Sequence, residues 1–191
     1  MSQMQRATHE RTDRRFDLRL LSGGDAALYR SIYCDADTMR YVGAPLSQTA
    51  ATASFEAALR LNDRRPALSQ FLVILNRLDA REEGICGIRH GVPRLGAAEI
   101  GMMLKGSARE QGYSHEILGH VMDHVFQSSA VEAVWVRYLG EHVAAERLVA
   151  GLGFEQSQLV ADDDPRRWAH LDRVRWSKQS GINNRGNTCP K

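Results

Sequence analysis

Hydrophobic and polar residues change period several times along this 191-residue chain, and each change marks an element. Phe16-Asp-Leu-Arg-Leu-Leu21 alternates as a half-buried strand does. Ser22 stands where an N-cap would open a short helix from Gly24 to Tyr33. Asp35 can cap another turn or two through Tyr41. Ser47 can cap a helix carrying Phe55, Ala58, Leu59 and Leu61 to about Asn62, after the breaker Gly43-Ala-Pro45. Gln70–Leu75 is a continuous apolar run, the pattern of a central strand. Glu83–Ile88 follows a short polar loop, which predicts a hairpin, and Ala98–Leu104 is a third strand. Beyond Gly112 the period becomes 3.6, with Ile117, Leu118, Val121, Met122, Val125 and Phe126 along one side of a helix. Ala133–Tyr138 reads as a strand and Val143–Leu152 as a second amphipathic helix stopped by Gly153. Strands are expected near Glu155–Val160 and Trp168–Trp176, with Asp162-Asp-Asp-Pro165 as the turn between them.

Strands interleaved with helices around a meander predict a mixed α/β sheet with helices on its faces. One domain over residues 16–176 suits the length. Residues 1–15 are polar and aperiodic. Residues 177–191 are rich in Ser, Asn and Gly, so both ends are expected to be disordered tails. A formal net charge of +2 is too mild for a nucleic-acid partner. No apolar run approaches the ~20 residues of a membrane span, and no apolar stretch follows the basic N-terminus as a secretory signal requires. Cys34, Cys86 and Cys189 form neither a disulfide framework nor a metal motif, which fits a reducing cytoplasm. His115, His120 and His124 share a helix, the last two at i, i+4. They lack the His-Glu-x-x-His arrangement and a third ligand, so no metal is expected.

Candidate chemistry centres on Ala108–Glu116. A strand ends at Leu104, a short loop follows, and a helix begins. A helix N-terminus offers unpaired N–H groups and a positive dipole end, which is a phosphate site. Gly112 lets the backbone approach an anion closely, Arg109 adds a forked cation, and Ser114 adds a small hydroxyl. The alternative is an ordinary strand-to-helix connection with a glycine in its turn.

Arg109-x-x-Gly112-x-Ser114 resembles the Arg/Gln-x-x-Gly-x-Gly/Ala acyl-CoA motif of the GNAT superfamily of N-acetyltransferases. The strand Ala98-Glu-Ile-Gly-Met-Met-Leu before it is similar to the branch of ribosomal-protein-alanine acetyltransferases. So is His142-Val-Ala-Ala-Glu-Arg147-Leu-Val-Ala-Gly-Leu152-Gly-Phe154 after it. Asp35–Tyr41, Phe71-Leu-Val-Ile and Gly84-Ile-Cys-Gly87-Ile match in order, so the resemblance spans about Phe16 to Val174.

The resemblance implies a central, mostly antiparallel sheet of about seven strands with helices on both faces. Acetyl-CoA would wedge where Ala98–Leu104 and Ala133–Tyr138 splay apart. Ile100, Gly101 and Met102 would hold the pantetheine arm through their backbones. The backbone N–H groups of Arg109, Glu110, Gln111, Gly112, Tyr113 and Ser114 would hold the pyrophosphate, with His142 and Arg147 as further cofactor contacts. The acyl group would pass directly to a primary amine of a small molecule or a peptide, in a monomer or homodimer. Tyr33, Met39 and Tyr41 lie on the early helices that would roof the acceptor pocket, as acceptor contacts or as core.

Direct transfer needs a base for the ammonium, a polarised carbonyl and a proton for the leaving thiolate. Glu99 opens the cofactor strand and is the candidate base and acceptor contact; otherwise it is a structural carboxylate. On the leaving side the chain departs from the family. Ala145 stands at the family's serine and Val149 near a common tyrosine, and neither donates a proton. His142 replaces an asparagine and acts either as donor or as the cap of the next helix. Tyr138 is the other candidate donor. Two function classes follow: an acyl-CoA-dependent N-acetyltransferase, or an acyl-CoA-binding module with a degenerate catalytic site.

Overall fold

In the computed structural model, which describes residues 14–158 and 165–180, the alternating segment Phe16–Leu20 is strand β1. A 3-10 turn at Gly23–Asp25 leads into helix α1, Ala26–Tyr33. Helix α2, Ala36–Met39, begins where the Asp35 carboxylate accepts the Thr38 N–H at 2.7 Å. Helix α3, Gln48–Asn62, begins where Ser47 Oγ accepts the Ala50 N–H at 3.2 Å. Each such cap typically contributes ~1 kcal/mol. The strand meander follows as β2 (Ser69–Asn76), β3 (Glu82–His90) and β4 (Ala97–Leu104).

A short helix α4, Gly106–Glu110, occupies the stretch after β4 where the sequence suggested only loop. Helix α5, Ser114–Ser128, strand β5, Ala133–Leu139, and helix α6, Val143–Gly151, come next. Strands β6 (Glu155–Ser157) and β7 (Arg166–Asp172) and helix α7 (Arg173–Ser180) complete the described chain. No helix among the described residues is long and apolar enough to cross a membrane.

The seven strands form one sheet in the order β1-β2-β3-β4-β5-β7-β6. Every neighbouring pair is antiparallel except β4 with β5. Strand alternation sorts side chains to two faces. Leu72, Ile74, Cys86, Ile88 and Ile100 meet Ile117, Val121, Met122 and Val125 of α5 on one face. Val73 and Ile85 lie on the other face beneath α1 and α3 with Leu28, Tyr29, Ile32 and Phe55. Helices therefore cover both faces, as expected.

Several boundaries differ from the sequence reading. The last strand stops at Asp172, and the residues from Arg173 onward are helical rather than extended. Asp172 pairs with Ala133, where β5 begins, so a longer strand would have no β5 residue to pair with. Arg173 instead turns back, and its guanidinium donates to the carbonyls of Val131, Phe126 and Ser129 at 2.8, 2.5 and 2.6 Å. Helix α7 then buries Trp176, and it continues to Ser180 past the expected tail boundary at residue 177. At the other end Arg14 donates to Asp123 at 2.6 Å. Strand β6 is shorter than the expected Glu155–Val160. Leu159, Val160 and the aspartates of the Asp162–Pro165 turn lie outside the described residues, as do residues 1–13 and 181–191.

Candidate functional site

The site begins with a local failure of strand pairing. β4 and β5 pair only over Ala97↔Ala133, Ala98↔Val134 and Glu99↔Trp135. Beyond these positions the two strands part, while β4 stays paired with β3 as far as Gly84↔Leu104. One edge of Ile100–Leu104 and one edge of Val136–Leu139 therefore face a notch, and a cavity of about 530 Å³ fills it. Ile100, Gly101 and Met102 line it from β4, and Val136, Arg137 and Tyr138 from β5. Leu118 of α5 and His142, Ala145, Leu148 and Val149 of α6 close one side. Tyr33, Tyr41 and Phe71 also line it, together with Glu99 and Arg89.

The structure thus gathers Glu99, Ile100, Gly101, Met102, Tyr138, His142, Tyr33 and Tyr41 around one cavity. Met39 is not on that wall; it is buried, 5% exposed, and belongs to packing. Arg147 is exposed on α6 and Glu110 is exposed at the end of α4, both outside the cavity lining.

The turn after β4 is organised differently from the expectation. The N–H groups of Arg109, Gln111, Gly112 and Tyr113 bond to the carbonyls of Lys105, Ser107, Arg109 and Ala108 at 3.0–3.2 Å. Those donors are consumed by α4 and its closing turn. The first backbone bond of α5 is Ile117 N–H to Tyr113 O at 2.9 Å. The N–H groups of Ser114, His115 and Glu116 precede it and are the ones a helix start presents outward. Gly112 takes φ +72°, a conformation costly to residues with a Cβ, and a Cβ there would meet nothing within 4 Å. The glycine therefore serves the bend and leaves the approach to α5 open. Arg109 folds back, donating to Leu104 O at 2.9 Å and to Thr38 Oγ1 at 3.2 Å. Tyr113 packs edge-on to Phe16, and its hydroxyl donates to Gln111.

Each candidate catalytic group has a defined partner. Glu99 is nearly buried, 9% exposed. It accepts from Arg89, its cross-strand partner, and lies 3.5 Å from Arg137 Nε. Tyr138 is buried, and its hydroxyl accepts from the Gln156 side chain. His142 is the N-cap of α6: its Nδ1 accepts the Ala145 N–H at 3.3 Å. The ring stacks on Tyr41 with centroids 4.1 Å apart. Because Nδ1 accepts, the neutral ring carries its proton on Nε2. Burial, and then the charge of Arg109, push the His142 pKa below the usual imidazole value, which favours this neutral form. Burial holds the Tyr33 phenol far above its ordinary range, so it stays protonated.

Arg89, Arg137 and Arg166 on the cavity wall were not singled out from the sequence. The signal was present as a charge inside apolar strand runs, Ile88-Arg89 and Val136-Arg137-Tyr138. Only register reveals that Arg89 and Arg137 converge on Glu99. Among the described residues no group of three His, Cys, Asp or Glu side chains is arranged to hold a metal ion.

Comparison with known proteins agrees with this geometry. The acetyltransferase (GNAT) domain family matches residues 15–155. No curated protein matches the sequence. A spermidine N-acetyltransferase from Vibrio cholerae, solved with CoA and spermine, superposes with a TM-score of 0.72 at 12% identity, covering 85% of this chain and 98% of that one. An aminoglycoside acetyltransferase bound to coenzyme A gives 0.73 at 13% identity, covering 86% and 99%. A putative ribosomal-protein-serine acetyltransferase from Vibrio cholerae gives 0.64 at 19% identity, covering 83% and 94%. At these identities the likeness to the three structures is one of fold.

Proposed function

The chain belongs to the GNAT acetyltransferase family, and from that premise we propose that it transfers the acetyl group of acetyl-CoA directly to a primary amine. The observation that carries this reading is the notch. Only three residue pairs join β4 to β5, and the opening beyond them is lined from α5 by Leu118. An extended pantetheine arm fits beside the unpaired edge at Ile100–Met102 as a further strand would. The pyrophosphate suits the N–H groups of Ser114, His115 and Glu116 at the dipole end, with Gly112 leaving room. Arg109 would have to exchange its bond to Thr38 for a phosphate contact. The apolar side chains of Leu118, Leu148 and Val149 suit the acyl end of the notch.

In the proposed step the amine nitrogen attacks the thioester carbonyl carbon, the new C–N bond replaces the C–S bond, and sulfur leaves with the electron pair. Glu99 takes the ammonium proton before attack, on a lone pair that Arg89 and Arg137 do not occupy. As the C–S bond breaks, the nitrogen gives up its second proton and the sulfur gains one, which the Tyr138 hydroxyl can relay. The Nε2–H of His142, on a neutral ring whose Nδ1 is held by the Ala145 N–H, steadies the sulfur by a hydrogen bond, since Ala145 and Val149 line the cavity without a proton to give. An ordinary CoA thiolate also leaves tolerably without a dedicated acid.

Structural neighbours are spermidine and aminoglycoside acetyltransferases, solved with spermine and with kanamycin, and a putative ribosomal-protein-serine acetyltransferase. These support an amine acceptor, whether a small molecule or a protein N-terminus like that of the ribosomal-protein branch. Action in the cytoplasm, as monomer or homodimer, belongs to the same proposal.

Free-thiol release from acetyl-CoA across an amine panel, read beside thermal stabilisation by CoA, tests the function. Turnover with at least one amine is expected, and Glu99→Gln is expected to lower kcat at neutral pH more than it weakens CoA binding. Stabilisation by CoA without thiol release from any amine would favour a binding module. Absence of both would remove the acyl-CoA reading altogether.

A further inference from the structure

The cavity is lined from both faces of the sheet, and the two faces differ. Successive strand residues alternate, so Ile100 and Met102 turn to the side of α5, while Glu99, Gly101 and Met103 turn to the side of α1 and α3. Glu99, the proton acceptor of the transfer reading, therefore stands on the side away from α5, and the amine arrives there. On that side β3 and β4 set three pairs in a row: Arg89↔Glu99, Gly87↔Gly101 and Ile85↔Met103. The first pair is polar and the third apolar. The second is bare of side chains. A Cβ on Gly101 would meet nothing within 4 Å, and one on Gly87 would reach only the Phe71 ring at 3.6 Å. Phe71 is the β2 partner of Gly87, and both Phe71 and Tyr33 pack against the cluster of Val73 and Ile85 while lining the cavity. The Tyr33 phenol stays protonated and adds no charge to this wall. Two facing glycines thus leave a flat floor beside aromatic rings, one step along the face from the carboxylate.

We infer that the acceptor in the transfer proposed above is a primary amine bearing an aromatic ring a few bonds from its nitrogen, and that this ring lies on the Gly87–Gly101 floor. The inference rests on that reading of the cavity. Neighbouring residues on one face of a strand lie about 7 Å apart. With the nitrogen at Glu99, a ring on a short linker falls over the glycine pair, and its far edge meets Met103. Phe71 and Tyr33 offer it offset or edge-on ring contacts. A linear polyamine would leave the floor unfilled and bring further charges against apolar walls. Gly87 and Phe71 are specificity residues in this account, while Glu99 faces the reacting nitrogen. Both a free arylalkylamine and a peptide with an aromatic first residue present this chemistry.

Matched acceptors separate the outcomes: phenethylamine against ethylamine, peptides beginning Phe against those beginning Ala, and spermidine as the polyamine. The expected result is a kcat/KM about ten- to hundred-fold higher for the ring-bearing member of a pair, the range that burial of one ring supplies. Spermidine is expected to be no better than ethylamine. Preference within the free amines or within the peptides tells the two sources apart. Gly87→Val puts a branched side chain on the floor and should bring the ring preference toward unity through KM, with ethylamine turnover and CoA-induced stabilisation little changed. Should that variant fail to fold, Gly87→Ala and Phe71→Leu carry the test. A Cβ on Gly87 makes only ordinary contact, and Leu keeps the apolar bulk of Phe71 without its ring, so each should lower the preference in part. Turnover of ethylamine or spermidine as fast as phenethylamine, with no gain for Phe-initiated peptides, would overturn the inference and leave the transfer reading standing. So would a ring preference untouched in the folded Gly87 and Phe71 variants. Thiol release from no amine would overturn the transfer reading itself.

Discussion

His142 illustrates how one side chain can answer two demands. Its Nδ1 caps α6, its ring stacks on Tyr41, and its Nε2–H is left to face the cavity. Removing the cap in His142→Ala is expected to cost about 1 kcal/mol in urea unfolding. His142→Asn keeps a capping oxygen and should recover most of that stability. If H142N also keeps kcat, the histidine serves α6; if kcat falls while stability holds, the Nε2–H steadies the leaving sulfur by a hydrogen bond.

His120 is a residue whose effect is on pH. Its Nδ1 accepts from Arg14 at 2.7 Å, and burial, with Arg14 beside it, lowers its pKa to about 4. The unfolded chain binds a proton on this ring near pH 6.5 while the folded protein does not. Above that pH both states are neutral and His120 has no effect; stability falls progressively as pH drops from about 6.5 to about 4. Melting temperatures between pH 7.5 and 4.5 should show this decline, and His120→Gln should flatten it. An unchanged slope in the variant would assign the loss to other groups.

Among the elements, α7 was read as strand in the sequence and is helix in the structure. Trp168–Trp176 carries enough alternating apolar residues to pass for a single strand. The switch to helix at Arg173 depends on where β5 begins and on the carbonyls at the end of α5, both distant in sequence. Once helical, the segment places Trp176 against Gly119 and bonds its Nε1 to Asp123 Oδ1 at 2.8 Å. Arg14 holds the other oxygen of the same carboxylate, so α5 joins the two ends of the described chain. Trp176→Phe keeps the packing but leaves Oδ1 without that donor, and urea unfolding should show a loss of about 1–3 kcal/mol. A loss under a few tenths would mean that water replaces the indole N–H. The helices α3 and α5, by contrast, were legible because the Ser47 cap of α3 and the apolar periodicity of both are local properties. The α4 turn was half legible: Gly112 signalled the bend, but which N–H groups remain outward depends on bonds made within the turn.

For the molecule as a whole, the sheet is two pieces held by a short seam. β1–β4 form one piece and β5, β7 and β6 the other, joined at Ala97–Glu99 and Ala133–Trp135. A ligand in the notch would contact both pieces, so hydrogen exchange with and without CoA reports on it. Slowed exchange is expected at Ile100–Leu104, at Val136–Leu139 and at the first turn of α5, with little change in β1 and α3. Protection confined to other segments would move the cofactor elsewhere.

By itself the sequence determined most of the elements, their order and the family pattern, because caps, alternation and helical periodicity act between near neighbours in the chain. It also marked Glu99, Gly112 and His142 as chemically interesting. Tertiary structure alone decided that the β4–β5 seam ends after Glu99, that Arg89 and Arg137 converge on that carboxylate, and that Met39 packs away from the cavity. The physical reason is that pairing register and side-chain convergence bring together residues dozens of positions apart, and no local pattern encodes which of them meet.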